Sequence, residues 1–382
     1  MLIGVLLALV GRSVGLPAAS GALVAGLGLA WSTGGSILSS GSSAQDGLVL
    51  LRLIFLAFLC LLLGAEIDLA SLVKLRLSLA TTTLAHAAGV TGAVFLAGTL
   101  IGLSRPEAIL LGAAAVAASP AALIAVSSEA RARGEATQRV LIIGSLSLAI
   151  GLVGVTLAGM LAGGSAPIQL PGLAVSLGAG IACGVLLLIP LSAMATRGAI
   201  LTCLACGAFA LAGLSRGIGS ERPLALMAIV AGAILGSFAS RREPLREALR
   251  DLAFPSAVGY FALTGSLVAP DGLAGALAAA AVVVTARTLG LIVAGVATRG
   301  THDGFPEAVA LTPMAGYSLV APLFSNPSST DPALWDRLVT PLLAAALISE
   351  FGGMIAFRNI LARAGWMPAA STDPRAWRRS MR

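Results

Sequence analysis

Two long apolar stretches of the chain are each interrupted by a hydroxyl residue followed by proline. The first, LLGAAAVAASPAALIAV, contains Ser119-Pro120, and the second, GFPEAVALTPMAGYSLVAPLF, contains Thr312-Pro313. Proline removes a backbone donor and clashes with the preceding turn, so each stretch predicts a broken helix whose freed carbonyls need partners. Hydroxyl and carbonyl oxygens are ligands for cations, and both breaks are therefore candidate binding sites.

Two ionisable residues within apolar stretches are candidates for chemistry at the breaks. Arg287 lies inside one stretch, where a charged side chain costs at least ~2.5–3.5 kcal/mol, and Glu350 lies near the middle of the last one. A carboxylate is a two-state switch, because it is neutral when protonated and an anionic oxygen ligand otherwise. Glu350 is either a proton carrier or one half of a structural pair or water-linked network with Arg287.

Further candidates have a functional and a structural interpretation. Ser145 and Ser147 are able to add neutral oxygens to a cation site, although hydroxyls do not titrate near neutral pH. Glu66 follows the third apolar stretch, where it either takes part in transport or caps the membrane interface. His86 either relays protons or bonds a backbone carbonyl.

The composition excludes a soluble domain. Hydrophobic residues make up 57% of the chain, charged residues 11%, and the mean hydropathy is +0.97, whereas a soluble domain has roughly 25% charged residues. We predict an all-α polytopic membrane protein of about thirteen spans, counting short or broken ones. Their approximate limits are 1–16, 18–32, 47–65, 77–102, 106–127, 139–162, 170–194, 198–215, 223–239, 252–269, 272–297, 304–325 and 338–361.

The net charge of +7 follows from membrane topology and not from a nucleic-acid surface. If the spans begin outside, most basic residues fall in inward loops and the tail, and few, such as Arg52, fall in outward loops or span ends. The positive-inside rule then predicts an outer N-terminus and a cytoplasmic C-terminus, and we expect the protein in a bacterial inner membrane. In that topology a solvated cytoplasmic loop contains Arg131, Arg133 and Arg139 together with Glu129 and Glu135.

No cofactor and no enzymatic centre is predicted. Cys203 and Cys206 have C-x-x-C spacing, but a second ligand pair is missing and the chain has 2 histidines. An acid pair, a nucleophile with its base, or a set of metal ligands at mid-membrane depth is not evident.

Residues 364–382 are predicted to form a short basic cytoplasmic tail.

Two breaks in opposite halves of the chain predict inverted repeats, with a substrate site where the breaks meet. The fourth and eleventh spans agree with this, since His86 precedes Gly89 by the same three positions that separate Arg287 from Gly290.

Several short motifs, in order along nearly the whole chain, resemble the monovalent cation/proton antiporter superfamily, in its sodium/proton and potassium-efflux exchanger branch. They are GLP and GALVAG within 15–26, FLCLLLGAE at 58–66, the stretch around Ser119-Pro120 where members often carry Thr-Asp-Pro, ARTLG at 286–290 and LTPMAGYSLV at 311–320.

The resemblance implies one transmembrane domain over 1–363, with a core bundle at about 77–162 and 272–361 and a dimerisation scaffold from the remaining spans. Two crossed broken helices hold the site in such a core. The resemblance also implies a homodimer in the lipid bilayer that exchanges a monovalent cation, Na⁺ or K⁺, for H⁺ by alternating access. A carboxylate beside the break takes up either the proton or the cation.

This chain departs from the family pattern in its acids. The sixth span, 139–162, where members carry Asp-Asp or Asn-Asp, contains no acid, Ser119 stands for the Asp of Thr-Asp-Pro, and Gly316 stands for a further acid. Two alternatives therefore stay open: a transporter of anions or zwitterions that uses Arg287, and a transport-silent membrane partner or sensor. Glu350 or Glu66 within reach of Ser119 would favour transport.

Overall fold

The computed structural model describes residues 18–32, 43–65, 69–132, 134–161, 170–194, 196–217, 222–266, 273–298, 304–314, 338 and 340–366. In these residues the chain is helical, apart from short connections and one isolated antiparallel bridge. The helices are α1 (Ala18–Ser32), α2 (Ser43–Ala65), α3 (Leu69–Leu100), α4 (Arg105–Val116), α5 (Pro120–Glu129), α6 (Glu135–Leu161), α7 (Leu170–Ala193), α8 (Arg197–Gly217), α9 (Arg222–Phe238), α10 (Arg242–Ser266), α11 (Leu273–Ala297), α12 (Gly304–Ala310) and α13 (Thr340–Arg363).

Seven of the described helices are long and apolar enough to cross a membrane: α2, α3, α6, α7, α8, α11 and α13. The predicted spans follow the observed helices, but α3 begins at Leu69 and α10 at Arg242, before the predicted limits 77 and 252. Hydropathy marks where a chain enters the hydrocarbon, whereas helical hydrogen bonding continues into the polar interface. The predicted span 1–16 and residues 315–325 of the predicted span 304–325 lie outside the described residues.

The first proline break separates α4 from α5. Ser119 is the N-cap of α5 with an extended backbone (φ −80°, ψ 106°), and Pro120 takes the first helical position. A missing N–H has no cost there, because the first turn of a helix has no internal acceptors for its donors. The Ser119 Oγ accepts a hydrogen bond from the Ala122 N–H at 3.3 Å. The same two residues therefore interrupt the stretch and start the next helix.

The second break follows α12 and lies directly against the first. Ala118 and Met314 form the antiparallel bridge, and the Ser119 N–H donates to the Pro313 carbonyl at 2.9 Å. Each break thus supplies backbone partners that the other lacks, which is the condition for irregular backbone at membrane depth. The two breaks meet at this point, which is called the helix crossing below.

The helices pack in two groups. One group, α3, α4, α6, α11, α12 and α13, surrounds the helix crossing; the other consists of α1, α2, α7, α8, α9 and α10, and α5 contacts members of both. Three glycine pairs bring helices into close contact: Gly26 with Gly265, Gly64 with Gly232, and Gly89 with Gly290. Small residues permit such backbone approach between membrane helices.

Candidate functional site

Arg287 closes one side of the helix crossing. Its side chain is 1% exposed. The guanidinium donates to three main-chain oxygens: Nε to Ala115 at 2.8 Å, and the two terminal nitrogens to Leu311 at 2.8 Å and Thr312 at 2.5 Å. These oxygens lie at the C-terminal ends of α4 and α12, where a cation is favoured by the helix dipole. Arg287 therefore replaces backbone donors that both breaks have removed.

Helix α13 covers the second break from another direction. The Ser349 hydroxyl donates to the Thr312 oxygen at 2.7 Å. One turn later, a Cβ added to Gly353 would lie 2.5 Å from the Pro313 nitrogen, which is closer than real contacts allow. Glycine is thus required where this helix crosses the proline.

Glu350 brings a carboxylate to the other side of the helix crossing. It is 3% exposed, and its Oε1 accepts a hydrogen bond from the Ser119 Oγ at 3.0 Å. Because Ser119 caps α5, the carboxylate lies beside a helix N-terminus, where negative charge is favoured. A hydroxyl oxygen and a carboxylate form a hard oxygen pair that is able to bind a proton or a small cation.

The direct Arg287–Glu350 pair that the sequence suggested is not formed. Among the described residues, no carboxylate oxygen lies within 4.0 Å of the Arg287 guanidinium. The carbonyls of the two breaks are fixed around the guanidinium and take its donors, while Glu350 faces the Ser119 hydroxyl. The two charges therefore have separate partners.

The hydroxyls expected at the site are largely engaged by their own helices. Ser145 and Ser147, both buried on α6, donate to the carbonyls of residues 141 and 143 at 2.8 and 2.7 Å. The Thr312 hydroxyl donates to the Val309 oxygen at 2.5 Å. This back-bonding is common for hydroxyls in helices and leaves only lone pairs for a ligand.

Two glycines of α6 pack against the breaks. An added Cβ on Gly151 would lie 3.0 Å from the Ala117 side chain, and one on Gly144 would lie 2.3 Å from the Leu123 side chain and 3.7 Å from that of Leu311. His86, on α3, is 2% exposed. Glu66 lies outside the described residues.

A buried ion pair near the starts of α6 and α12 was missed from the sequence. Arg139 Nε and Glu307 Oε1 are 2.8 Å apart, and the side chains are 3% and 2% exposed. The expectation that Arg139 belongs to a solvated loop is wrong, because α6 already begins at Glu135 and carries Arg139 one turn into the protein. Glu307 was the available signal, since an acid inside an apolar span needs a partner. Arg52, expected at a span end, is also buried at 2% exposure within α2.

A cavity of about 760 Å³ opens between α5 and α6 on one side and α2, α8 and α10 on the other. Its apolar lining includes Leu62, Ile124 and Leu141, and its polar lining carries charges of both signs. Ile124 is roughly 7 Å along α5 from Ser119, at about 1.5 Å per residue. The cavity therefore approaches the Ser119–Glu350 contact from one membrane face.

Comparison with known proteins identifies the family to which this arrangement belongs. The family model for the transmembrane sodium/hydrogen exchanger matches residues 1–321. The chain belongs to this family. It is an integral membrane protein of the cation/proton antiporter superfamily, as the sequence motifs indicated. No curated protein matches the sequence.

Solved structures agree on the fold of this exchanger-family chain. The sodium proton antiporter MjNhaP1 from Methanocaldococcus jannaschii at pH 8 has a TM-score of 0.60 and 18% identity, with 96% of this chain and 94% of that chain covered. An electron-microscopy structure of MjNhaP1 has a TM-score of 0.58 and 18% identity, with 93% of this chain and 94% of that chain covered. At this identity the likeness concerns the fold alone.

Proposed function

We propose that this chain is a secondary active antiporter that exchanges a monovalent cation for protons, with Glu350 and Ser119 as its ion-binding pair. The observation that carries the proposal is the buried 3.0 Å contact between the Ser119 hydroxyl and the Glu350 carboxylate at the helix crossing. A carboxylate in such a place is stable only when a proton or a cation neutralises it. Each occupant must therefore replace the other.

Sodium is the first candidate for the cation and potassium the second. The chain belongs to the sodium/hydrogen exchanger family, and MjNhaP1 is a sodium proton antiporter. A single carboxylate binds one proton or one monovalent cation in turn, so we expect one proton to be exchanged for each cation.

Alternating access in this proposal moves the core group around the crossing against the scaffold group of α1, α2 and α7 to α10. The cavity between α5, α6 and the scaffold supports an open path on one side. The positive-inside rule supports a cytoplasmic location for that side, with the C-terminus inside. The family resemblance supports a homodimer, which we place in a bacterial inner membrane. The three glycine pairs support inverted repeats. If the two halves of the chain are exchanged, the pair Gly26–Gly265 corresponds to the pair Gly232–Gly64, and the pair Gly89–Gly290 corresponds to itself.

The two alternative functions have less support. An anion or zwitterion site at Arg287 needs free guanidinium donors, whereas three main-chain oxygens already bind that group. A transport-silent partner or sensor has no need of a buried carboxylate beside the break.

The test is proton flux in proteoliposomes that contain the purified protein and a pH-sensitive dye. Sodium, potassium or lithium is added outside at several pH values. We expect the cation to dissipate the pH gradient, and Glu350→Gln to abolish this response because an amide cannot exchange a proton for a cation. Glu135→Gln, which changes an exposed acid at the start of α6, should keep the response.

Two outcomes would contradict the proposal. Folded and correctly inserted protein that responds to none of the three cations would exclude proton-coupled exchange of these ions. An unchanged response in Glu350→Gln would place the exchanging group elsewhere.

A further inference from the structure

A row of polar side chains runs along α3 toward the helix crossing. Ser78, Thr82 and His86 are each one helical turn apart and share one face. Ser78 Oγ, Thr82 Oγ1 and both ring nitrogens of His86 are buried, and within the described part of the chain they have no hydrogen-bond partner. Thr82 and His86 are 1% and 2% exposed.

The neighbouring threonine shows the usual arrangement for a hydroxyl in such a helix. Thr83 is also 1% exposed, and its hydroxyl donates to the Leu79 carbonyl at 2.7 Å. Back-bonding of this kind satisfies a hydroxyl without any outside partner. The row on the adjacent face differs, because its polar atoms are not turned to their own helix.

Buried polar atoms without partners are costly in a membrane protein. Transfer of a polar group to an apolar medium without a hydrogen bond costs several kcal/mol. A neutral imidazole has one donor and one acceptor nitrogen, so His86 needs a partner on each side of the ring. Water is the small molecule that is able to both donate and accept there, and buried waters commonly satisfy such atoms.

We propose that Ser78, Thr82 and His86 line a file of water that carries protons between the membrane surface at the start of α3 and the helix crossing. The proposal rests on the proposed antiport function and adds a proton route to it. From Ser78 to His86 the row rises roughly 12 Å, at about 1.5 Å per residue.

The inner end of the row approaches the helix crossing where α3 packs on α11. His86 lies about one turn before Gly89, and an added Cβ on Gly89 would lie 2.6 Å from the carbonyl oxygen of Gly290, about one turn after Arg287. The charge of Arg287 acts on His86. The Arg287 guanidinium binds the Thr312 oxygen, Ser349 binds the same oxygen, and Glu350 is the next residue. A water of the file donates a proton to the bare ring nitrogen of His86 and accepts one from the water before it, while the other ring nitrogen releases its proton to the next water. The imidazole stays neutral, and one proton reaches the Glu350 carboxylate.

The proton route and the cavity use different helices. The described residues that line the cavity come from α2, α5, α6, α8, α10 and the loop after α5, and none comes from α3. Cations entering through the cavity and protons entering along α3 would therefore meet at Glu350 from two directions.

Cysteine accessibility tests the water file independently of transport. The full-length protein, with Cys60, Cys183, Cys203 and Cys206 replaced by alanine, carries Thr82→Cys or, as the matched control, Thr83→Cys. A small, water-soluble methanethiosulfonate reagent is applied to proteoliposomes. We expect Thr82→Cys to react at least ~10-fold faster than Thr83→Cys, because the thiolate is the nucleophile that attacks the reagent, and a thiol ionises readily only in contact with water. Equal rates at the two positions would overturn the water file.

The exchange assay then tests whether the file carries protons. Thr82→Val and His86→Leu should slow cation-dependent proton flux, by ~10-fold or more for His86→Leu. The KM for the cation should stay unchanged in both variants, and Thr83→Val should keep the flux of the parent protein. Equal flux in Thr82→Val and Thr83→Val would overturn the proton role. If the parent protein shows no cation-dependent flux, antiport fails, while the labelling result still decides whether α3 is hydrated.

Discussion

Two buried charges meet at the helix crossing, and they are held in opposite ways. Arg287 contacts three main-chain oxygens contributed by both breaks, whereas Glu350 contacts one side-chain hydroxyl. Removing the arginine leaves carbonyls of the interrupted backbone without donors, but the carboxylate keeps room for an exchangeable partner. We infer that Arg287 stabilises the crossing, whereas Glu350 is the proposed exchanging group.

The largest expected effect separates these two charges by stability. Arg287→Met should destabilise the protein by ~3–5 kcal/mol, because it breaks a buried, charged hydrogen-bond network. Glu350→Gln should change stability by less than about 1 kcal/mol, since the amide oxygen still accepts from Ser119. Thermal unfolding of the purified variants measures both. Similar losses in the two variants would show that Glu350 is as structural as Arg287.

Glu307, in its ion pair with Arg139, is a second buried carboxylate that can be compared with Glu350. Arg139→Met leaves the buried Glu307 carboxylate without its partner and should cost ~3–5 kcal/mol. The double variant Arg139→Met with Glu307→Met should recover most of that loss, because no buried charge remains. Thermal unfolding again provides the measurement, and flux in the double variant should persist if Glu350 is the exchanging acid. Loss of flux from a stable double variant would assign a transport role to this pair.

Two adjacent glycines of α13 test how closely the second break is packed. Gly353→Ala should destabilise the protein by ~1–3 kcal/mol, because its Cβ would lie 2.5 Å from the Pro313 nitrogen. An added Cβ on Gly352 meets nothing within 4 Å, so Gly352→Ala should be neutral or stabilising. A Gly353→Ala variant that unfolds at the same temperature as Gly352→Ala would disprove this tight contact.

The smallest expected effect concerns the two serines on either side of the crossing. Ser119→Ala should raise the KM for the cation by ~10-fold, the equivalent of about 1.4 kcal/mol for a hydrogen bond to a charged group. Ser349→Ala removes a bond to the Thr312 oxygen only and should lower stability by about 1 kcal/mol with the KM unchanged. The dependence of flux on cation concentration measures the first effect. Equal KM values in the two variants would remove Ser119 from the ion-binding pair.

Local chemistry in the sequence determined membrane placement, most helix limits and both breaks. Hydropathy acts on each stretch separately, and a proline interrupts the helix in which it lies, so Ser119-Pro120 and Thr312-Pro313 were visible without a structure. The ordered motifs also predicted the family, which the match over residues 1–321 confirmed. The helix extensions at Leu69 and Arg242 were not visible, because hydropathy does not report on polar helical turns.

The partner of each charge was decided by the tertiary structure alone. Ser119 and Glu350 are 231 positions apart, Arg139 and Glu307 are 168 apart, and Arg287 is 172 positions from Ala115. Composition predicts that a buried charge needs a partner, but several partners satisfy that condition equally well. Only the way in which the breaks cross decides that Arg287 binds carbonyls and that Glu350 faces a hydroxyl, because hydrogen bonds extend about 3 Å and depend on which helices are neighbours.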